Sequence, residues 1–136
     1  MPKIGLISLG CAKNLVDSEH MLALLRAAGW EITEDMSEAD VGVVNTCGFI
    51  EAAKIEAIET ILDTAQYKQT GKMKGLVVTG CLVQRYAEEM KTELPEIDAI
   101  CGTGSYESIV DAAAAALGGH KAAYMADMAS AALEGG

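Results

Sequence analysis

The sequence is poor in aromatic residues and in positive charge. Only 4% of its residues are aromatic, so a core has to be built from Leu, Ile, Val, Ala and Met side chains. Its 10 Lys and Arg residues stand against 20 Asp and Glu residues, which gives a net charge of -10. This balance argues against a nucleic-acid-binding face, because phosphate contacts need Lys and Arg, and it is compatible with a basic protein partner.

Long hydrophobic runs are also missing. The apolar run near the N-terminus has only six or seven residues, too few for a signal peptide, and no stretch is long enough to span a membrane. We therefore expect a cytoplasmic protein that does not bind membranes. In a reducing compartment, its four cysteines are expected to be ligands, catalytic groups or core residues and not disulfides.

Short apolar runs alternate with helical patterns along the chain. A length of 136 residues, of which 51% are hydrophobic, fits one domain with a real core. We predict strands at Ile4–Leu9, Trp30–Thr33, Val41–Val44, Leu76–Val78 and Ile97–Ile100. We predict helices at Asn14–Gly29, Phe49–Gln69, Val83–Leu94 and Ser105–Gly118. The alternation predicts an α/β, flavodoxin-like three-layer sandwich: a five-stranded parallel sheet of order 2-1-3-4-5 with helices on both faces.

Three cysteines each follow one of these predicted strands. Cys11, Cys47 and Cys81 are 36 and 34 positions apart, about the length of one strand-helix-strand repeat. Parallel strands end at the same edge of their sheet. We therefore expect the three thiols to converge near the crevice where the strand order reverses, which is the usual ligand site of such sheets.

Several kinds of thiol site need a different pattern. The CxxC pairs that are typical of zinc sites and of thioredoxin-like redox sites are absent from the sequence. Arg85 is a poor match for the arginine of a phosphatase loop that would begin at Cys81. Three thiolates fit a [4Fe–4S] cluster and leave one iron without a protein ligand. The cysteines could instead pack as small hydrophobic side chains, although that would have to happen at three equivalent places.

The motifs around these cysteines resemble one family. The stretches Ser8–Glu19, Asn45–Ile50 and Thr79–Tyr86 resemble the N-terminal domain of the radical-SAM methylthiotransferases, and the resemblance covers about residues 1–118. Gly-Cys-Ala-Lys-Asn and Cys-Gly-Phe-Ile-Glu are similar to the branch that modifies an aspartate of a small-subunit ribosomal protein. The tRNA-modifying branch typically has Gln-Met-Asn where this chain has Ala12-Lys13-Asn14.

The resemblance implies a cofactor, a reaction and partners. It implies that Cys11, Cys47 and Cys81 bind an auxiliary [4Fe–4S] cluster whose open iron carries the sulfur to be transferred. The implied partners are the enzyme's own radical-SAM and C-terminal domains, with a basic ribosomal protein as the substrate. A second [4Fe–4S] cluster, bound by a CxxxCxxC motif, and S-adenosylmethionine belong to domains outside this chain. We therefore expect no turnover from the chain alone.

The same resemblance implies how the chain is organised. Residues 1–118 would form the iron-sulfur domain, and residues 119–136, which are rich in Ala and Met, would be a linker toward the radical-SAM domain. A tRNA-modifying methylthiotransferase domain remains an alternative. So does a metal-free flavodoxin-like binding module, although cobalamin would want a histidine where the chain has Cys11. Flavin would favour a Ser/Thr-rich loop at that place.

A few other residues are candidates for the site. Cys101 follows the fifth predicted strand and lies outside the motifs of the family, so we predict that it is a packed cysteine and not a ligand. Lys13, Asn14, Asn45 and Gln84 lie in or near the loops that follow the strands. Their side chains could donate hydrogen bonds to cluster sulfurs, or they could serve equally well as solvated loop residues and helix caps.

Overall fold

Strands and helices alternate along the chain. The computed structural model describes residues 2–9, 12–46, 51–80, 92, 94, 96–101, 108–119 and 122–124. The strands are β1 (Lys3–Ser8), β2 (Glu31–Ile32), β3 (Val41–Thr46), β4 (Gly75–Gly80), β5 (Ala99–Cys101) and β6 (Ala122–Tyr124). The helices are α1 (Ala12–Ala27), α2 (Glu51–Ala65), the short α3 (Tyr67–Thr70) and α4 (Ile109–Leu117), with a 3-10 turn at Met36–Glu38.

The described strands form one parallel sheet. Its order is β2-β1-β3-β4-β5-β6, so the predicted arrangement of the first five strands is confirmed. The sequence interpretation did not include β6, which pairs in parallel with β5. This strand lies in the segment predicted to be a linker, of which residues 120, 121 and 125–136 are outside the described part of the chain.

Two apolar clusters cover the two faces of the sheet. The cluster beneath α1 and α4 includes Ile4, Met21, Leu25, Val43, Val77 and Ala113. The cluster beneath α2 includes Val44, Ala57, Ile61, Leu76, Val78 and Ile100. Successive strand residues, such as Val43 and Val44, fall in different clusters because side chains alternate between the faces of a sheet. The predicted three-layer architecture is therefore confirmed.

Several element boundaries differ from those predicted. β3 and β4 continue to Thr46 and Gly80, because neighbouring strands pair with the backbone even where the side chains are polar. The predicted long helix stops at Ala65, and α3 is separate from it. α1 begins at Ala12, so Asn14 lies inside the helix and not at its cap.

Other predicted helix ends can be compared only in part. Gly29 follows α1 with a φ of 100°, and its N–H donates to the Arg26 carbonyl at 3.0 Å, as expected for a glycine that ends a helix. α4 begins at Ile109, and the predicted start at Ser105 lies outside the described residues, as does most of the predicted helix Val83–Leu94. No helix in the described part of the chain is both long and apolar enough to cross a membrane.

Carboxylates hold the amino ends of the strands. Asp40 accepts a hydrogen bond from the backbone N–H of Lys3 at 2.8 Å, at the start of β1. Asp98 accepts one from the backbone N–H of Leu76 at 2.9 Å, near the start of β4. The Asp98 carboxylate is also paired with the Lys68 ammonium of α3. These contacts give the backbone N–H groups of Lys3 and Leu76 hydrogen-bond partners within the protein itself.

Candidate metal centre at the carboxyl edge of the sheet

The predicted ligands follow three neighbouring strands. Cys11, Cys47 and Cys81 themselves lie outside the described residues. The strands that precede them, β1, β3 and β4, are adjacent and parallel, with β3 in the middle. Their carboxyl ends lie at the edge of the sheet where ligands usually bind in an open α/β fold. The chain segments that lead to the three cysteines therefore end side by side.

The strand register brings these ends to the same level. Thr46 and Gly80, which directly precede the second and third cysteines, are paired across β3 and β4. On the other side of β3, the backbone N–H of Leu9 donates to the Asn45 carbonyl at 2.9 Å, which continues the ladder beyond the end of β1. Neighbouring strands lie about 4.8 Å apart. The described ends of the three strands thus lie at the same level, one strand spacing apart.

Gly80 allows β3 and β4 to come close together where they end. Its φ is +107°, a conformation that L side chains rarely adopt. A Cβ atom at this position would lie 2.0 Å from the Thr46 carbonyl oxygen, and 2.8 Å from Oδ1 of Asn45. Only glycine fits between these atoms. The glycine at the end of β4 therefore has a structural reason.

Asn45 connects the middle strand to the first helix. Its Nδ2 donates a hydrogen bond to Oγ of Ser18 in α1 at 2.8 Å, and both residues are buried. The sequence interpretation offered this amide as a possible donor to cluster sulfurs, and that bond stays a prediction. The structure gives the amide a hydrogen-bond partner in α1. Ser18 was missed, although it lies three and seven positions before the buried Met21 and Leu25. A polar residue on such an apolar stripe is a signal that could have revealed it.

A second hydrogen bond joins the ends of β3 and β4. The Thr46 hydroxyl donates to the backbone carbonyl of Thr79 at 2.7 Å, and both residues are fully buried. This bond adds to the backbone ladder one residue before Cys47 and two residues before Cys81. The middle strand is thus linked through side chains both to a helix and to its neighbouring strand.

Cys101 lies on β5, next to β4 and outside the group of three adjacent strands that precede the predicted ligands. It is the last residue of β5, is fully buried, and pairs with Thr79 in the strand register. Burial raises the pKa of the Cys101 thiol to about 11, and a hydrogen bond with the Thr79 side chain offsets part of that rise. The thiol is therefore protonated at neutral pH, as is typical of a packed cysteine.

The remaining loop residues are described only in part. Lys13 and Asn14 lie in the first turn of α1, and Gln84 lies outside the described residues. Their suggested hydrogen bonds to cluster sulfurs remain predictions.

The segment that contains the paired strand ends matches a known family. A model described as Uncharacterized protein family UPF0004 matches residues 3–102, from the start of β1 to the residue after β5. The chain belongs to this family. The match includes all four cysteines, and it excludes β6.

Several curated relatives share one name, ribosomal protein uS12 methylthiotransferase RimO. The chain is 62% identical over 109 residues to the one from Clostridioides difficile, which covers 80% of this chain and 24% of the relative. It is 58% identical over 119 residues to the one from Lachnoclostridium phytofermentans, which covers 88% of this chain and 27% of the relative. The relative from Symbiobacterium thermophilum is 54% identical over 125 residues, which cover 92% of this chain and 26% of the relative. The chain thus spans about a quarter of the length of these relatives.

Proposed function

We propose that this chain is the domain of a methylthiotransferase that binds an auxiliary [4Fe–4S] cluster through Cys11, Cys47 and Cys81. The observation that carries the proposal is the alignment of three strand ends at the carboxyl edge of the sheet. Thr46 and Gly80 are paired, and Leu9 is bonded to the same middle strand. Three soft thiolate donors supplied from neighbouring strands suit an iron-sulfur cluster.

The residues of the chain hold this site in three ways. The cysteines supply three thiolates, so a bound cubane cluster would keep one iron free to carry the sulfur that is transferred. The register of β3 and β4 fixes two of the segments that lead to the cysteines. The hydrogen bonds of Asn45 and Thr46 tie the middle strand to α1 and to β4.

The substrate proposed for the whole enzyme is an aspartate of a small-subunit ribosomal protein. Two observations support it: the name of the relatives specifies ribosomal protein uS12, and the net charge of -10 suits a basic partner. The proposed reaction takes place in the cytoplasm. In this proposal residues 1–118 form the cluster domain and residues 119–136 lead toward a radical-SAM domain, with β6 of that segment adding a strand to the edge of the sheet. That domain supplies the second cluster and S-adenosylmethionine, and a C-terminal domain also belongs to the full enzyme.

A chimeric enzyme tests this function. This chain would replace the matching segment of the Clostridioides difficile relative, to which it is 62% identical. With S-adenosylmethionine, sulfide and a reductant, we expect mass spectrometry to show one methylthio group added to uS12. The chimera that carries Cys47→Ala should add none. Modification of tRNA in place of uS12 would favour the alternative branch, and a fully active Cys47→Ala chimera would contradict the cluster site.

A further inference from the structure

We propose that Asn45 is a positioning residue that holds the three cysteine-bearing segments in one fixed arrangement. This inference rests on the proposed cluster site and extends it to a residue that is not a ligand. The side chain of Asn45 lies between Ser18 of α1 and Gly80 of β4, and Asn45 itself belongs to β3. One side chain therefore meets all three segments.

The contact with α1 constrains the segment that contains the first cysteine. α1 begins at Ala12, directly after Cys11, so the position of this helix sets where the loop after β1 ends. Nδ2 of Asn45 donates to Oγ of Ser18 at 2.8 Å, across 27 residues of sequence. Ser18 is 2% exposed and Asn45 is fully buried, so water does not compete for this bond.

The contact with β4 concerns the third cysteine. A Cβ atom on Gly80 would come within 2.8 Å of Asn45 Oδ1, so the amide lies against the backbone directly before Cys81. The amide fits there because residue 80 is glycine. Asn45 and Gly80 are thus matched to one another at the end of the sheet.

The backbone ladder alone does not supply this arrangement. Hydrogen bonds between strands fix β3 against β1 and β4, but α1 rests on the sheet through an apolar cluster that includes Met21, Leu25 and Val43. The hydrophobic attraction between α1 and the sheet is non-directional, so only the fit of the packed side chains constrains where along the sheet the helix lies. A buried hydrogen bond with defined geometry constrains it further. Asn45 therefore provides a directional contact between α1 and the strand ends.

The test uses no iron. It measures the affinity of the chain for a probe that binds three thiols at once, which reports how close together the three thiols lie. Arsenite, As(OH)₃, is the probe, because arsenic(III) condenses with three thiols and releases three waters. Binding to the metal-free chain is followed by titration under anaerobic conditions, for the wild type, Ser18→Ala, Asn45→Ala and the double variant. Thr64→Val is the matched control. Thr64 is also a helical hydroxyl residue that is 2% exposed, and its bond at 2.7 Å goes to the Thr60 carbonyl of its own helix.

We expect the affinity for arsenite to fall about threefold to tenfold in Ser18→Ala and in Asn45→Ala, the effect of one buried hydrogen bond. Thr64→Val should stay within about twofold of the wild type, because its lost bond does not reach the strand ends. Ser18→Ala should add little in the Asn45→Ala background, since both changes remove the same bond. The thermal unfolding midpoint of each variant separates a loss of stability from a loss of convergence.

The outcomes distinguish this inference from the proposed function. An equal loss of arsenite affinity in Thr64→Val and Ser18→Ala would overturn the positioning role. Wild-type chain that binds arsenite but no iron-sulfur cluster would contradict the proposed function, and the losses in the two variants would still support the positioning role. Wild-type chain that binds neither would overturn both, because the three thiols would then not converge.

Discussion

The two edges of the sheet are built from different kinds of polar group. At the amino edge, the carboxylates of Asp40 and Asp98 accept backbone hydrogen bonds, and Asp98 is also paired with Lys68. At the carboxyl edge, buried neutral side chains, Asn45 and Thr46, connect β3 to its neighbours. A nearby carboxylate would raise the pKa of a cysteine and oppose an anionic cluster, whereas amides and hydroxyls do not. Among the residues that the structure describes, charged groups stabilise the amino edge, and neutral groups stabilise the edge proposed to bind metal.

Substitutions at two glycines of β4, one near each edge of the sheet, should have the largest effects on stability and allow the two edges to be compared directly. An added Cβ would lie 2.1 Å from the Ala116 carbonyl oxygen at Gly75, and 2.0 Å from the Thr46 carbonyl oxygen at Gly80. We expect Gly75→Ala and Gly80→Ala each to lower the free energy of unfolding by about 3 kcal/mol or more, because backbone has to move. Urea unfolding measures both. Only Gly80→Ala should also reduce iron uptake, and equal losses of iron in the two variants would remove the distinction between the edges.

The buried ion pair tests the amino edge. The Asp98 side chain is 7% exposed, and Lys68→Met removes the ammonium group that pairs with that carboxylate. We expect a loss of about 2–3 kcal/mol in the free energy of unfolding, with iron uptake unchanged. Lys3→Met is the control, because Lys3 pairs with the exposed Glu31 and Glu38 at 3.6 and 3.2 Å. Its change should be undetectable by the same urea unfolding. A loss of iron in Lys68→Met would show that the two edges are coupled.

Cys101 gives the free energy of unfolding a pH dependence that does not involve the charged groups at either edge of the sheet. Burial raises the pKa of this thiol from 9.0 to about 11 in the folded chain, so folding favours the protonated form. The raised pKa therefore contributes to the free energy of unfolding. This contribution is complete below about pH 8 and is lost as the pH rises from about 9 through 11. Between these limits, the wild type should lose about 2 kcal/mol more stability than Cys101→Val. Urea unfolding at pH 8 and at pH 10.5 measures the difference, and parallel curves for the two proteins would contradict the burial of this thiol.

The smallest expected effect is at the junction of β3 and β4. Thr46→Val removes the hydroxyl that donates to the Thr79 carbonyl at 2.7 Å. We expect a loss of about 1 kcal/mol in the free energy of unfolding, because one buried hydrogen bond is lost while the volume is kept. Thr70→Val is the control, since its bond to the Gln66 carbonyl at 3.2 Å is exposed and should contribute little. Equal changes in the two variants would mean that the Thr46 bond adds nothing to the carboxyl edge.

The strand order could be predicted because local patterns determine it. Runs of Val, Ile and Leu followed by Gly or Asn mark the central strands, and alternation with helices leaves few parallel arrangements. β6 could not be predicted in this way. Ala122-Ala123-Tyr124 has no β-branched residue, and it forms a strand because it pairs with the outer edge of β5.

The candidate site could be predicted as a position but not as a set of contacts. The place of the cysteines after three strands follows from the sequence, and the family match includes them. The bond between Asn45 and Ser18 spans 27 residues and depends on how α1 lies across the sheet. No local pattern contains that information. The close approach at Gly80 is likewise visible only once β3 and β4 are side by side.

Iron analysis of the reconstituted chain tests the central claim most directly. The claim is that Cys11, Cys47 and Cys81 hold one cluster and that Cys101 does not. After anaerobic reconstitution with iron and sulfide, we predict about four irons and four sulfides per chain in the wild type and in Cys101→Val. Cys47→Ala should hold no cluster. A wild type without iron, or a cluster that survives Cys47→Ala and is lost in Cys101→Val, would contradict the account.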